Sequence, residues 1–514
     1  MPVTPSFTEF QEQWSKYDAI AVSRCILDDQ FTPVSAFLRI DDSDDACLFE
    51  SVIGGEKVGR YSFLAAGAHR LLKATRTRVD LVDFQEADQS FSIDHANPLE
   101  ILREQLNRIR VAPSPNLPPF CGGAIGFAGY DVVRYVERLE HPPEDDRGIP
   151  DIVFAFYDRI LVFDHINKTL NIIVLARKEN FSAAEEAYAD ALAQIERTIQ
   201  QLSTPSISEG IHEESTITDA QLNQNQIDVE SLQNAANYTL EEFCEIVSRC
   251  VEYIRAGDIF QVVISQRFNV SVSVDPFQIY RHLRVLNPSP FMFYLRTGGI
   301  TLVGASPEIM CRVVGREMTV RPLAGTRRRG RDEIEDMALE QELLADEKEL
   351  AEHTMLVDLG RNDVGKVARF GSVKLSHAFH VERYSHVMHI SSNVNGQLRD
   401  GVDALDAFMA SHPAGTVSGA PKVRAMEIID EMEKHRRGPY AGAVGYFDYS
   451  GNMDTCIALR TVVVQGSTAY LQAGAGIVAD SNPISEYEET LNKAKALLRA
   501  ISAAQSANPL AMRK

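Results

Sequence analysis

The sequence predicts an α+β protein built on antiparallel sheets, and three observations carry that prediction. Strand-like segments arrive in pairs and runs instead of alternating one-to-one with helices, which disfavours a doubly wound sheet. Several of them, such as residues 259–268, alternate apolar and polar side chains as half-buried strands do. Between them lie amphipathic stretches with explicit signals, such as the capping box Thr-Leu-Glu-Glu at 239–242 and the Gly257-Asp258 stop that follows residue 256.

In chain order, strand-like pieces at 19–23, 151–156, 159–164 and 170–175 precede a helical stretch at 180–202 that is rich in Ala and Glu. A polar segment with few large apolar residues then reads as a linker or a solvated insertion. The division is therefore 1–202, an N-terminal domain; 203–236, the linker or insertion; and 237–514, a C-terminal domain. Helices are predicted at 333–359, 402–411, 421–435 and 483–504, the last opened by the N-cap and N1 pair Asn482-Pro483.

The chain has 514 residues and a formal charge of -21. Such an acidic surface repels phosphate backbones and anionic lipid, so neither nucleic acid nor membrane is an expected partner. Seven scattered cysteines lack a C-x-x-C pair and read as small buried hydrophobes in a reducing compartment. The N-terminus lacks the basic and apolar regions of a signal peptide, and no run approaches about 18 apolar residues. A cytoplasmic location is the expectation.

Five features carry chemistry. Glu349 and Glu352 lie one turn apart on the side of Leu356 and Leu359, where like charges repel and partial burial is costly unless a cation intervenes. Glu486 and Glu489 fall in the first turns of the last helix, where acids also suit the helix dipole. Taken together, the four oxygen donors suit Mg²⁺. The run Gly474-Ala-Gly-Ile-Val-Ala479 has the letters of a dinucleotide fingerprint but no helix at the glycines and no second strand, leaving a tight turn or a close backbone approach to a carboxylate. Five arginines between Arg321 and Arg331 read either as a solvated loop or as a local anion trap. The Gly-rich turn from His412 to Lys422 feeds a helix N-terminus that ends with Arg436-Arg437 in its final turn. His386 and His389, three apart on a strand, face opposite ways, so one of them suits proton transfer and a shared metal is disfavoured.

These pieces, in this order, resemble the chorismate-utilising enzymes along essentially the whole chain. The resemblance rests on Leu-Phe-Glu-Ser51, Gly-Gly-Glu-Lys-Val-Gly-Arg60, Asn-Pro-Ser-Pro-Phe-Met-Phe293, Ala-Ser-Pro-Glu308, Pro-Leu-Ala-Gly-Thr326, Val-Met-His389, Ala-Leu-Arg460 and Ala-Gly-Ala-Gly476. It implies two orthogonally packed antiparallel sheets flanked by helices, a four-layer α/β/β/α arrangement, with the N-terminal domain interleaved. It further implies that Glu349, Glu352, Glu486 and Glu489 hold Mg²⁺ against the ring carboxylate of chorismate. Tyr440 and Arg460 would take the enolpyruvyl carboxylate, and Gly325, Thr326, Gly474 and Gly476 would offer further hydroxyl or N–H groups. Glu308 matches the acid that protonates the departing C4 hydroxyl, with a raised pKa expected; Thr416, also set among the catalytic residues, would offer its hydroxyl or N–H to the substrate's carboxylates, and His389 matches the histidine near the departing pyruvate.

Two positions separate the branches of this family. Members that add water carry a lysine base where this chain has Gln261, and members with a nucleophilic lysine carry it where this chain has Ala324. Amination at C2 by ammonia followed by loss of pyruvate, which yields anthranilate, is what remains. Glu50, Ser51, Lys57, Arg60, Pro290, Met292 and Phe293 resemble the family's feedback site for L-tryptophan, with an acid for the ammonium, cations for the carboxylate and an apolar slot for the indole. That motif argues against a sister enzyme stopping at 2-amino-2-deoxyisochorismate, and the retained acids argue against a non-catalytic regulatory subunit. The chain ends about ten residues beyond the last helix, so a separate glutamine amidotransferase subunit in a hetero-oligomer is the expected ammonia source.

Overall fold

The computed structural model describes residues 2–27, 31–41, 43–51, 59–85, 90–204, 229–384 and 387–507. Runs such as Ile-Val-Phe-Ala-Phe-Tyr (Ile152–Tyr157) are buried along their full length, as strands covered on both faces must be. Among the described residues these strands assemble into two antiparallel sheets of twelve strands each, with helices packed against them, so the α+β prediction holds. Helix Ala184–Ser203 shows how the outer layer attaches: Ala187, Ala191, Ile195, Thr198 and Leu202 form one buried stripe at helical spacing against strand Thr169–Arg177.

Both sheets are shared between the two halves of the chain. In the first, Ala46–Glu50 pairs with Phe291–Thr297; in the second, Gly123–Ala128 pairs with Ala443–Asp448. The chain also crosses between sheets at two adjacent points. Strand Ile300–Ser306 belongs to the first sheet and Ile309–Val314 to the second, with only Pro307 and Glu308 between them. Met453–Ile457 belongs to the second and Thr461–Gln465 to the first, with Ala458 to Arg460 between.

Local signals behave as their chemistry dictates. Thr239 caps helix Leu240–Ala256 through the full capping box, and Gly257 ends it at φ 88°, a left-handed conformation that glycine adopts without a Cβ penalty. Asn482 accepts hydrogen bonds from the N–H groups of Ile484 and Ser485, both at 3.1 Å, at the start of Pro483–Ala507. All seven cysteines are free.

Three expectations are corrected. The helix predicted at 333–359 is two helices, Glu333–Ala345 and Glu347–Val367, because Asp346 leaves helical geometry and caps the second through the N–H groups of Lys348 and Glu349. Gly474 and Gly476 form no turn; they lie inside strand Thr468–Ile477, paired with Ser265 and Val263. The helix predicted at 421–435 ends at Met432, and Arg437 turns inward, nearly fully buried, to bind Glu433 and the carbonyls of Val263 and Val417.

Candidate active site

The two crossing points bring Glu308 and Arg460 together. Ile457 N–H donates to the Glu308 carbonyl at 3.0 Å, Ala305 N–H donates to the Arg460 carbonyl at 3.1 Å, and the Ser306 hydroxyl donates to the Ile457 carbonyl at 2.6 Å. Arg460 sits at φ 47°, a conformation rare for a side chain this large. Both residues line a cleft of about 470 Å³. Burial pushes the Glu308 carboxyl up to about 7, against the opposing pull of the Thr416 hydroxyl, Arg460 and Lys493. Burial lowers Arg460, and the charge of Glu308 counters it.

The opposite wall comes from strand Leu323–Arg328 and its partner Val387–Gln397. Gly325 interrupts their register as a bulge at φ 68°, and a Cβ there would stand 3.2 Å from a Glu349 oxygen. His389 pairs opposite Thr326 across the ladder. Its Nδ1 is 2.9 Å from the Gly325 carbonyl and 3.1 Å from the Thr326 hydroxyl, and burial lowers its pKa to about 4. A carbonyl only accepts, so Nδ1 carries the proton and Nε2 of this neutral ring is left with a lone pair. His386 lies outside the described residues.

Glycine explains two further approaches. A Cβ at Gly474 would meet the Tyr440 hydroxyl at 2.8 Å, and one at Gly476 would meet Gln261 Nε2 at 2.9 Å. Glycine therefore lets these side chains lie flat on the strand, and all four residues line the cleft.

The four predicted carboxylates also line it, each in the opening turns of a helix. Burial raises Glu352, with Glu349 and Glu489 adding to the shift, and burial raises Glu486, with Glu489 adding to it. Each has its own partner: Arg327 holds Glu349 at 2.9 Å, Gln261 donates to Glu352 at 3.2 Å, Lys493 pairs with Glu489 at 2.6 Å, and the Ser481 hydroxyl lowers Glu486. Hard oxygen donors under mutual repulsion suit Mg²⁺, yet no three acidic, histidine or cysteine side chains among the described residues converge as a ready-made cage. The donor chemistry fits an ion completed by water and substrate oxygens.

The arginine cluster is not an anion trap. Arg327 bonds Glu342, Asp346 and Glu349, Arg328 and Arg331 bond Glu335, Arg329 bonds Asp336, and Arg321 pairs with Glu382. Four of them fasten helix Glu333–Ala345 and the start of Glu347–Val367 to the strand carrying Gly325.

A second cavity of about 250 Å³ opens between the sheets, lined by Glu50, Ser51, Arg60, Pro290, Met292 and Phe293. Lys57 falls outside the described residues. Glu50 is 5% exposed, and Arg284 grips it at 2.9 and 3.2 Å while the Tyr280 hydroxyl donates to it. Arg60 is paired with Asp164 at 2.9 Å. The buried Ser51 hydroxyl has no hydrogen-bond partner.

Comparison with known proteins decides the family. The profile of the chorismate binding enzymes matches residues 60–499. The chain belongs to the chorismate-binding enzyme family. It is 45% identical to anthranilate synthase component 1 of Acetivibrio thermocellus over 97% of this chain and 99% of that one. Against the chloroplastic anthranilate synthase alpha subunit 1 of Arabidopsis thaliana the identity is 44%, covering 95% and 86%. The crystal structure of anthranilate synthase component I from Streptococcus pneumoniae superposes at a TM-score of 0.73 with 36% identity, covering 92% and 98%. The menaquinone-specific isochorismate synthase of Escherichia coli, at 19% identity and TM-score 0.63, shares the fold.

Sequence reasoning missed several residues that this chorismate-binding chain brings to its cavities. Lys493 donates to the Gly474 carbonyl at 2.8 Å inside the cleft, and Gln472 and Lys348 line it. Continuing the stripe from Glu486 and Glu489 by one turn reaches Lys493. Tyr280 and Arg284, which hold Glu50, are an i, i+4 pair on helix Pro276–Leu286 whose spacing is equally legible.

Proposed function

We infer that the chain converts chorismate and ammonia to anthranilate, pyruvate and water, the first committed step toward tryptophan. The observation that carries this reading is one cleft holding a carboxyl group, Glu308, whose pKa burial raises to about 7, and a neutral histidine, His389, beside Arg460 and Tyr440. Arg460, Tyr440 and the strand at Gly474 orient the substrate carboxylates. Ammonia forms a bond to C2 as the C4–O bond breaks; Glu308 gives its proton to the departing hydroxyl, which leaves as water. Gln261 cannot deprotonate a competing water, since its amide nitrogen only donates, here to Glu352. His389 Nε2 then takes the C2 proton as the enolpyruvyl C–O bond breaks, the ring becomes aromatic, and the departing enolate regains one proton at its methylene carbon to leave as pyruvate. Mg²⁺ held by Glu349, Glu352, Glu486 and Glu489 would supply positive charge to the ring carboxylate.

The second cavity is assigned to L-tryptophan as feedback inhibitor. Its support is a buried acid, an unpartnered Ser51 hydroxyl and walls from Phe49, Phe63, Met292 and Phe293. A ligand ammonium would share Glu50 with Arg284. A partner component with glutaminase activity is proposed as the ammonia source. No helix among the described residues is long and apolar enough to cross a membrane.

The test incubates the purified chain with chorismate, MgCl₂ and an ammonium salt at alkaline pH and follows anthranilate fluorescence and pyruvate. Both products are expected; a non-aromatic amino product alone, or none, overturns the reading.

A further inference from the structure

We propose that a small chamber behind Glu308 is a hydrated proton-supply route in which Asp363 acts as the relay residue that recharges Glu308 between turnovers. The proposal rests on the reading of Glu308 as the acid of the amination step.

The chamber measures about 40 Å³ and shares Glu308, Leu356 and Thr416 with the cleft. Among its wall residues Arg321 Nε is buried without a hydrogen-bond partner, Asp363 Oδ1 has only Lys366 Nζ beside it at 3.5 Å, and the Thr416 hydroxyl acts on the Glu308 carboxyl. A water needs roughly 10–15 Å³ and two to four polar partners, so the chamber has room for about three waters that bond to one another and to its polar walls.

Asp363 is 4% exposed on helix Glu347–Val367. Its Oδ2 accepts from Lys422 Nζ at 2.6 Å, and its Oδ1 pairs at 3.5 Å with Lys366 Nζ, on a side chain 46% exposed. The carboxylate thus joins the solvent side of the helix to the chamber, and the chamber joins Glu308. Substrate in the cleft covers the other side of Glu308.

The transfers balance. Glu308 loses its proton to the C4 oxygen and is left as a carboxylate. A chamber water gives it one proton and takes one from Asp363, which is reprotonated from the solvent proton pool on the side of Lys366. The attacking nitrogen releases one proton to solvent, so the cycle consumes none overall.

Rapid-mixing experiments with saturating chorismate, MgCl₂ and ammonium separate first from later turnovers. The wild type should show no burst. Asp363→Asn should form about one anthranilate per site at the wild-type rate and then slow at least tenfold, with a larger solvent deuterium effect on the slow phase only. Gly360→Ala alters the chamber without removing a charge: its methyl would stand 3.1 Å from Val320, and both residues are chamber walls. It should give the same burst, which keeps the test open if D363N fails to fold. Equal loss in both phases, or no burst in either variant, overturns the relay. Slowing of glutamine-driven but not ammonium-driven turnover would assign the chamber to ammonia passage and also overturn it. Absence of anthranilate from the wild type would instead refute the underlying reading.

Discussion

The carbonyl oxygen of Gly325, on a bulge, lies 2.9 Å from His389 Nδ1 and fixes which ring nitrogen is bare. A base at Nε2 serves the elimination, which removes the C2 proton, and not the amination. His389→Gln should therefore lower anthranilate formation by about 10²–10⁴-fold, the usual worth of a positioned base. Chorismate should still be consumed, with a non-aromatic amino product accumulating. Chromatography of the quenched reaction checks this; parallel loss of chorismate consumption would place His389 in the first step.

Glu308 must be protonated to act, and burial holds its pKa near 7 instead of 4.5. The sign follows directly. Below about pH 7 the acid form dominates, and above it the amination rate at constant free ammonia should fall about tenfold per unit. His389, near 4, stays neutral throughout this range and imposes no acid limb above about pH 5. Glu308→Gln should lose 10²–10⁴-fold in rate and abolish the alkaline limb. Initial rates in buffers adjusted for free ammonia measure this, and a rate that keeps climbing past pH 8 would remove Glu308 from the acid role.

The legibility of this site in the sequence was uneven, for physical reasons. Glu349 and Glu352 announced themselves because a helix converts spacing into a face. Glu308 and Arg460 were placed by family motif alone, since their proximity arises from two sheet crossings that no local periodicity encodes. Gly474 and Gly476 stayed open between a turn and a close approach because glycine signals backbone freedom and close approach alike; here it makes room for Tyr440 and Gln261. The arginine run was ambiguous because its partners, Glu335, Asp336 and Asp346, lie on neighbouring helices whose docking the sequence does not state.

Arg437 and Glu433 form a nearly fully buried pair, with Arg437 also donating to the Val263 and Val417 carbonyls at 2.7 Å. Glu433 further accepts from Ser265 N–H and hydroxyl at 2.8 Å. Removing one member strands a buried charge, at about 3–5 kcal/mol. Arg437→Met should lower the thermal midpoint by roughly 1 °C for each kcal/mol lost in a cooperative unit of this size, read by calorimetry. Arg437→Met combined with Glu433→Gln should recover part of that loss, and failure to recover any would mean the carbonyl contacts dominate.

Phe293 lies across Gly304 on the neighbouring strand, so close that a Cβ there would stand 2.0 Å from the ring. Phe293 also lines the proposed tryptophan cavity, whereas Gly304 does not. Gly304→Ala must therefore push the ring, and the cavity side is where space exists. The inhibition constant for tryptophan should rise at least tenfold, equivalent to about 1.4 kcal/mol of lost binding. Glu50→Gln should weaken inhibition by a comparable or larger factor, since a hydrogen bond to a charged group contributes about 1.5–3 kcal/mol. The two variants differ in cause: one fills the indole slot and the other removes the charge for the ammonium. Indole-containing analogues lacking the amino group should consequently lose affinity with G304A but not with E50Q, measured by calorimetric titration. Equal sensitivity of both variants to such analogues would show that Glu50 shapes the cavity instead of binding the ammonium.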